Sequence, residues 1–270
     1  MSGAEDRAAA FFRRGWTVFD PDPETARWAA AARPVADGIL ADPDSPARDW
    51  RCGGTWFAGV NIFPNDAGGA VPARGVPPVG GPAVRFVAEA LGLSGFAWDR
   101  AQLSVCFPGY PRQGAEESEA NHRYRVNRAA AHVDGLLRDA ERRRYPGEVH
   151  GFILGLPLSE ADAGASPMVV WEGSHEIMRR AFRERLAGVP PERWPDEDIT
   201  ETYHAARREA FETCPRVPVH VAPGGSYIVH RLALHGVAPW DSAGETPRIV
   251  AYFRPDPFPG AAPGWWLDRP

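Results

Sequence analysis

Two motifs far apart in the chain most constrain how it can fold. Ala129-Ala130-Ala131-His132-Val133-Asp134-Gly135 carries a His-x-Asp pair. Far downstream, Tyr227-Ile228-Val229-His230-Arg231-Leu232-Ala233-Leu234-His235-Gly236-Val237 carries two histidines. Pro247-Arg248-Ile249-Val250-Ala251-Tyr252-Phe253 then sets an arginine at the head of an apolar run. On a β-strand, residues i and i+2 share a face, so the spacing predicts that His132 and Asp134 project side by side toward one metal ion. A third ligand must come from elsewhere. A fold that gathers distant strands around one interior supplies it. Short strands bounded by Gly and Pro turns, with helices ahead of them, predict a mainly β protein. The expected architecture is a double-stranded β-helix (jelly roll, cupin-like) with an N-terminal helical cover.

The 270 residues suit one large β domain with helical additions. We expect a single domain over 1–270. Residues 1–100 would form the helical and loop cover, 101–255 the jelly-roll core and 256–270 a Pro-rich tail. Gly and Pro, 28 of each, exceed average usage and fit many turns. Helical periodicity is read over 5–14, 23–40, 82–91, 176–186 and 196–211. Strands are read over 16–19, 102–107, 149–158, 166–171, 217–221, 226–230 and 248–253, with another near Leu234. Residues 128–136 are read as the strand or strand end carrying the His-x-Asp pair. Residues 41–82 show no period and read as an ordered loop with short strands. Residues 109–127 are too polar for a core and read as a mobile loop, a candidate lid.

Composition excludes several classes. The net charge is −5, every basic residue is Arg, and no basic block stands out, so nucleic acid is not an expected partner. No apolar run reaches the roughly 18 residues of a membrane span, and the N-terminus lacks a signal-peptide apolar core. Three widely spaced cysteines, Cys52, Cys106 and Cys214, do not make a disulfide framework and point to a reducing cytoplasm.

The candidate site residues differ in how far the pattern carries them. Alone, a His-x-Asp pair is common by chance. His235 and His230 compete for the third ligand position. Five apart on one continuous strand, they would face opposite sides, so both cannot serve one metal. A buried Arg is rare unless paired. Arg248 therefore faces either one of the protein's own acids or an anionic ligand. Gln102 and Ser104 share a strand face that would line the pocket. His175 reads as structural, Arg254 as a surface residue at a strand end. Trp50, Trp56 and Phe57 fit either a pocket wall or plain packing. Two His and one carboxylate on one face of a metal, with other positions open, suit Fe(II) chemistry with O2.

In these residues the chain resembles the phytanoyl-CoA dioxygenase family of Fe(II)/2-oxoglutarate-dependent oxygenases, from about residue 8 to 254. Phe12-Arg13-Arg14-Gly15-Trp16-Thr17-Val18-Phe19 is similar to that family's opening helix–Gly–strand. His132 and Asp134 match its metal pair, His235-Gly236 its distal ligand, and Pro167-Met168-Val169-Val170-Trp171-Glu172-Gly173-Ser174-His175 its strand ending in Gly-Ser-His. The chain departs from the pattern at Glu172, at Val237, and at Leu136 and Leu137. The resemblance implies Fe(II) held by His132, Asp134 and His235. It implies 2-oxoglutarate as co-substrate, with its far carboxylate on Arg248; the strand face of Gln102 and Ser104 would then meet its keto-acid end, or carry ordinary strand polarity. It implies hydroxylation of a small molecule by O2 with release of succinate and CO2. The same triad also suits a Zn hydrolase, in which Arg248 has no role, or a non-catalytic jelly-roll binding module.

Overall fold

The strand Arg248–Phe253 shows how the core is divided. All six residues are buried, and they alternate. Ile249, Ala251 and Phe253 join one apolar cluster, while Val250 and Tyr252 join another. A strand apolar on both faces must lie between two layers, and the rest of the chain supplies them.

The structure is a computed structural model and describes residues 2–42 and 49–269. In chain order the strands are β1 (Trp16–Phe19), β2 (Trp50–Arg51), β3 (Trp56–Gly59), β4 (Gln102–Cys106), β5 (Leu136–Arg138), β6 (Arg144–Pro146), β7 (Phe152–Pro157), β8 (Met168–Trp171), β9 (Arg216–Val219), β10 (Ser226–His230), β11 (His235–Val237) and β12 (Arg248–Phe253). The helices are α1 (Ser2–Arg14), α2 (Pro23–Ala41), α3 (Pro82–Ala90), α4 (Glu119–Arg128), α5 (Ser174–Arg185), α6 (Thr200–Thr213) and α7 (Trp265–Asp268). A seven-stranded sheet runs β1-β10-β7-β12-β4-β3-β2, a three-stranded sheet runs β11-β8-β9, and β5-β6 form a hairpin. Every pairing is antiparallel. This is the expected jelly roll with helices.

The helical cover follows from its sequence. Asp22 caps α2 by accepting from the Glu24 and Thr25 amides, and Pro23 fills the first helical position. One face of α2 is Trp28, Ala29, Ala32 and Ala36, whose small residues let the helix approach the sheet. Phe11, Trp28 and Phe86 pack with Leu103, Leu154 and Phe253 on the outer face of the large sheet. Each large side chain so buried contributes about 2–3 kcal/mol. The inner face carries Ile153, Tyr227, Val229, Val250 and Tyr252 against Met168, Val170 and Val219 of the small sheet. Residues 1–100 also give β1 at one edge of the large sheet and β2 and β3 at the other. Within the 41–82 stretch, 43–48 lie outside the described residues.

Two expectations need correction. Residues 109–127 are not a loop throughout. Ser118 caps α4 by accepting from the Asn121 amide, and Glu117 pairs with Arg125 at 3.1 Å. No residue of α4 is fully buried, so the helix has no apolar stripe to betray it. Residues 128–136 are not a strand either. After α4, Ala129 (φ +53°) and Ala130 (φ +49°) turn the chain through the left-handed region. His132 makes a single β-bridge to His235, and the chain turns again before β5. The Pro-rich tail follows β12. It ends in α7, whose Trp266 stacks on Phe182 of α5 with ring centroids 5.8 Å apart.

Candidate active site

The inner space between the two sheets opens at the His132–His235 bridge. The His132 amide donates to the His235 carbonyl at 2.8 Å, and the His235 amide returns the bond at 3.0 Å. This ties the end of α4 to β11 and brings the two imidazole rings to 4.8 Å. Gly236 permits the approach, since a Cβ there would meet the Ala129 carbonyl oxygen at 2.2 Å. Gly135 (φ +85°) turns the chain just after Asp134, where a Cβ would meet the Glu148 carbonyl oxygen at 2.5 Å.

His132, Asp134 and His235 form a group whose ligand atoms all lie within 4.8 Å of one another. Each imidazole is held from behind. His132 Nδ1 donates to the Ala130 carbonyl at 3.0 Å, and His235 Nδ1 donates to the Ala233 carbonyl at 2.9 Å. A carbonyl only accepts, so each Nδ1 carries the proton and each Nε2 is turned toward Asp134. Nε2 lies 3.1 Å from Asp134 Oδ1 for His132 and 3.7 Å from Oδ2 for His235. The side chains of His235 and Asp134 are 5% and 12% exposed, that of His132 51%, so the group is open on the His132 side.

Electrostatics suit a cation. Burial pushes the His235 imidazole down to about 4, leaving it neutral at ordinary pH. Burial opposes ionisation of Asp134, but His235, His132 and Arg254 outweigh it and hold the carboxyl well below its usual range. Two imidazoles with Nδ1 fixed by backbone carbonyls, plus one ionised carboxylate, fit a divalent transition metal. The other side-chain oxygen contact is from Arg254, whose Nη1 lies 3.2 Å from Asp134 Oδ2. Arg254 is therefore not a plain surface residue. It continues the inward parity of Arg248, Val250 and Tyr252 past the strand end, which is the signal that identifies it.

A cavity of about 350 Å³ adjoins the group. Gln102 and Ser104 line it, as the strand parity predicts, together with Trp56, Tyr110, Met168, Val237 and Tyr252. Trp56 Nε1 donates to Ser104 Oγ at 3.2 Å. Trp50 and Phe57 pack in the apolar core beneath instead. Val237, where the chain departs from the family pattern, is in the wall. Glu172, another departure, accepts from Trp16 Nε1 at 2.8 Å.

Arg248 is outside the wall of this cavity and lines a separate small pocket with Asp162, Val219 and Tyr227. Its guanidinium donates to the Tyr252 hydroxyl, which also accepts from Tyr227 at 2.8 Å. Arg248 is 7% exposed, and its Nη1 has no partner among the described residues. No carboxylate among the described residues forms an ion pair with it. Tyr252, in the wall of the cavity, is the link between Arg248 and the triad side.

His230 and His175 are placed elsewhere. The chain changes sheets between His230 and His235, so they do not share a strand. His230 accepts from the Leu232 amide at 3.0 Å and its ring lies 4.7 Å from that of His175. His175 Nε2 bonds the Phe12 carbonyl at 2.9 Å, a structural role.

No family model matches the sequence, and no curated protein matches it. Solved structures do. The non-heme alpha-ketoglutarate-dependent carbocyclase SnoK of nogalamycin biosynthesis aligns with a TM-score of 0.57 and 14% identity, over 94% of this chain and 86% of that one. AviO1 from Streptomyces viridochromogenes Tue57 aligns at 0.53 and 15%, over 97% of each chain. The non-heme alpha-ketoglutarate-dependent epimerase SnoN of the same biosynthesis aligns at 0.51 and 12%, over 93% and 81%. The chain thus has the fold shared by SnoK, AviO1 and SnoN. No helix among the described residues is long and apolar enough to cross a membrane.

Proposed function

We propose that this chain is an Fe(II)- and 2-oxoglutarate-dependent dioxygenase that hydroxylates a small-molecule substrate, releasing succinate and CO2. The observation that carries the reading is a buried arginine with no ion-pair partner among the described residues, joined through Tyr252 to the cavity that holds a His-Asp-His group. Leaving a buried cation unpaired is costly. A dianionic co-substrate would supply the missing charge at Arg248, with the triad offering a place for its other end. A Zn hydrolase or a binding module gives Arg248 no such role.

His132, Asp134 and His235 would hold the iron on one face. Bound Fe(II) with 2-oxoglutarate supplies O2 activation coupled to oxidative decarboxylation. Arg248 would hold the far carboxylate by its planar fork, reached past Tyr252. Tyr252 and Tyr227 keep that fork oriented, and Gln102 and Ser104 offer hydrogen bonds along the wall. Trp56, Met168 and Val237 keep bulk water from the reacting carbon. Arg254 orients Asp134 through its second oxygen.

Anaerobic addition of Fe(II) and 2-oxoglutarate should give a weak visible charge-transfer band, and O2 should then give succinate. A colourless complex with no succinate under any substrate screened would sink the reading.

A further inference from the structure

The β5–β6 hairpin sets Arg138 directly opposite Arg144. Like charges across a ladder repel and weaken the pair. Arg207 of α6 adds to the repulsion. Burial, then Arg138 and Arg207, lower the proton affinity of Arg144. The hairpin's own acids do not relieve this. Asp139 accepts from the Arg143 amide and the Tyr145 hydroxyl, and Asp198 beside the hairpin pairs with Arg143. Among the described residues, no carboxylate forms an ion pair with Arg138, Arg142, Arg144 or Arg207.

These four arginines line a cleft of about 670 Å³ together with Arg125 and Arg254. The acids in its wall, besides Asp134, are Glu117, already paired with Arg125, and Glu148. His132, Asp134, Arg125 and Arg254 line both this cleft and the first cavity, so the two meet at the triad. The chain as a whole carries −5, so the cationic cleft runs against the net charge. A concave, arginine-lined wall focuses field onto an anion and grips it bidentately.

We propose that this cleft binds the oxyanion end of the substrate, of phosphate or carboxylate chemistry, and thereby places the rest of the molecule over the triad. The placement over the triad rests on the dioxygenase reading; the anion site rests on the arginines alone. An anion between Arg138 and Arg144 turns their repulsion into a shared clamp. Arg207 is steadied for this role by the rings of Tyr124 and Tyr203, 5.1 and 5.2 Å away.

The test is calorimetric titration of the full chain, metal-free and at fixed ionic strength, with pyrophosphate and with tricarballylate. Saturable binding to the unaltered protein is expected. It should weaken by at least about tenfold in Arg144→Gln/Arg207→Gln, as for loss of charge-assisted pairs. Arg138→Gln/Arg142→Gln, at exposed positions, should show the same direction and guards against a folding defect in the first variant. The remote, exposed Arg74→Gln should bind like the unaltered protein. Tighter pyrophosphate binding assigns a phosphate end, tighter tricarballylate a carboxylate end. No saturable binding of either probe, equal affinity in all variants, or binding of heparin alone would overturn the proposal. The Fe(II)/2-oxoglutarate band is recorded on the same proteins. A band without anion binding removes the cleft and leaves the dioxygenase; anion binding without a band does the reverse.

Discussion

Arg254 Nη1 lies 3.2 Å from Asp134 Oδ2, on the side of the carboxylate nearer His235. The guanidinium fixes the rotation of the carboxylate and leaves Oδ1 beside His132. Partners of this kind typically govern metal affinity by a factor of about 10–100. Arg254→Ala should weaken Fe(II) binding by about tenfold or more, and Arg254→Lys should restore part of it. Anaerobic Fe(II) titration measures both. Unchanged affinity in Arg254→Ala would leave the contact as an incidental ion pair.

The two histidines of the distal motif separate cleanly. His235→Ala should abolish Fe(II) binding, because no other imidazole among the described residues joins His132 and Asp134. His230→Ala should retain it, since that ring packs on His175 and Phe11 away from the group. It should instead lower stability by about 1–3 kcal/mol, leaving a void and an unpaired Leu232 amide. Metal titration and thermal melting read the two effects independently. Metal loss in His230→Ala with the fold intact would reassign the third ligand.

Arg248 gives a prediction with opposite signs for function and stability. Arg248→Lys keeps the charge and loses the fork, so the apparent KM for 2-oxoglutarate should rise by at least about tenfold, roughly 1.4 kcal/mol. Arg248→Met removes a buried cation that lacks a counter-ion, so the ligand-free protein should melt higher than the unaltered one. Saturating 2-oxoglutarate should then raise the melting temperature of the unaltered protein only. If Arg248→Met melts lower than the unaltered protein and still responds to 2-oxoglutarate, another residue neutralises the co-substrate.

What the sequence makes legible here is alternation. The inward parity of Gln102 and Ser104, and the two-faced burial of β7 and β12, follow from period two and apolar content. So does the jelly roll itself. What it hides is local geometry without an apolar signature. Helix α4 has no buried residue, and its polar sequence reads as a loop. The His-x-Asp pair has strand spacing but sits beyond two left-handed alanines, held by one bridge. The argument that His230 and His235 cannot both serve one metal assumed one continuous strand, whereas the chain crosses between sheets before His235. Arg254 continues the inward parity of β12, but its contact with Asp134, like the opposed Arg138–Arg144 pair, depends on where strand ends meet, which no periodicity encodes.

Asp99 connects pH to the position of Arg254. Its Oδ1 accepts from the Arg254 amide at 2.8 Å and so fastens the end of β12 that presents Arg254 to Asp134. Burial raises its carboxyl to about 6 from an ordinary 3.8, against the opposing pull of the Arg254 amide and charge. Below the unfolded value both states hold the proton, and the protonated form contributes its full stability. Between 3.8 and about 6 the unfolded chain ionises while the folded one stays protonated, so stability falls as pH rises. Above that window the penalty is constant, on the order of 3 kcal/mol. Asp99→Asn keeps an acceptor for the Arg254 amide and cannot ionise. The variant should therefore gain most of that, about 2 kcal/mol, relative to the unaltered protein between pH 4 and pH 7, with no further gain by pH 8. Urea unfolding across that range measures the difference. A gap between the two proteins that stays constant with pH would show that Asp99 ionises in the folded state as readily as in the unfolded chain.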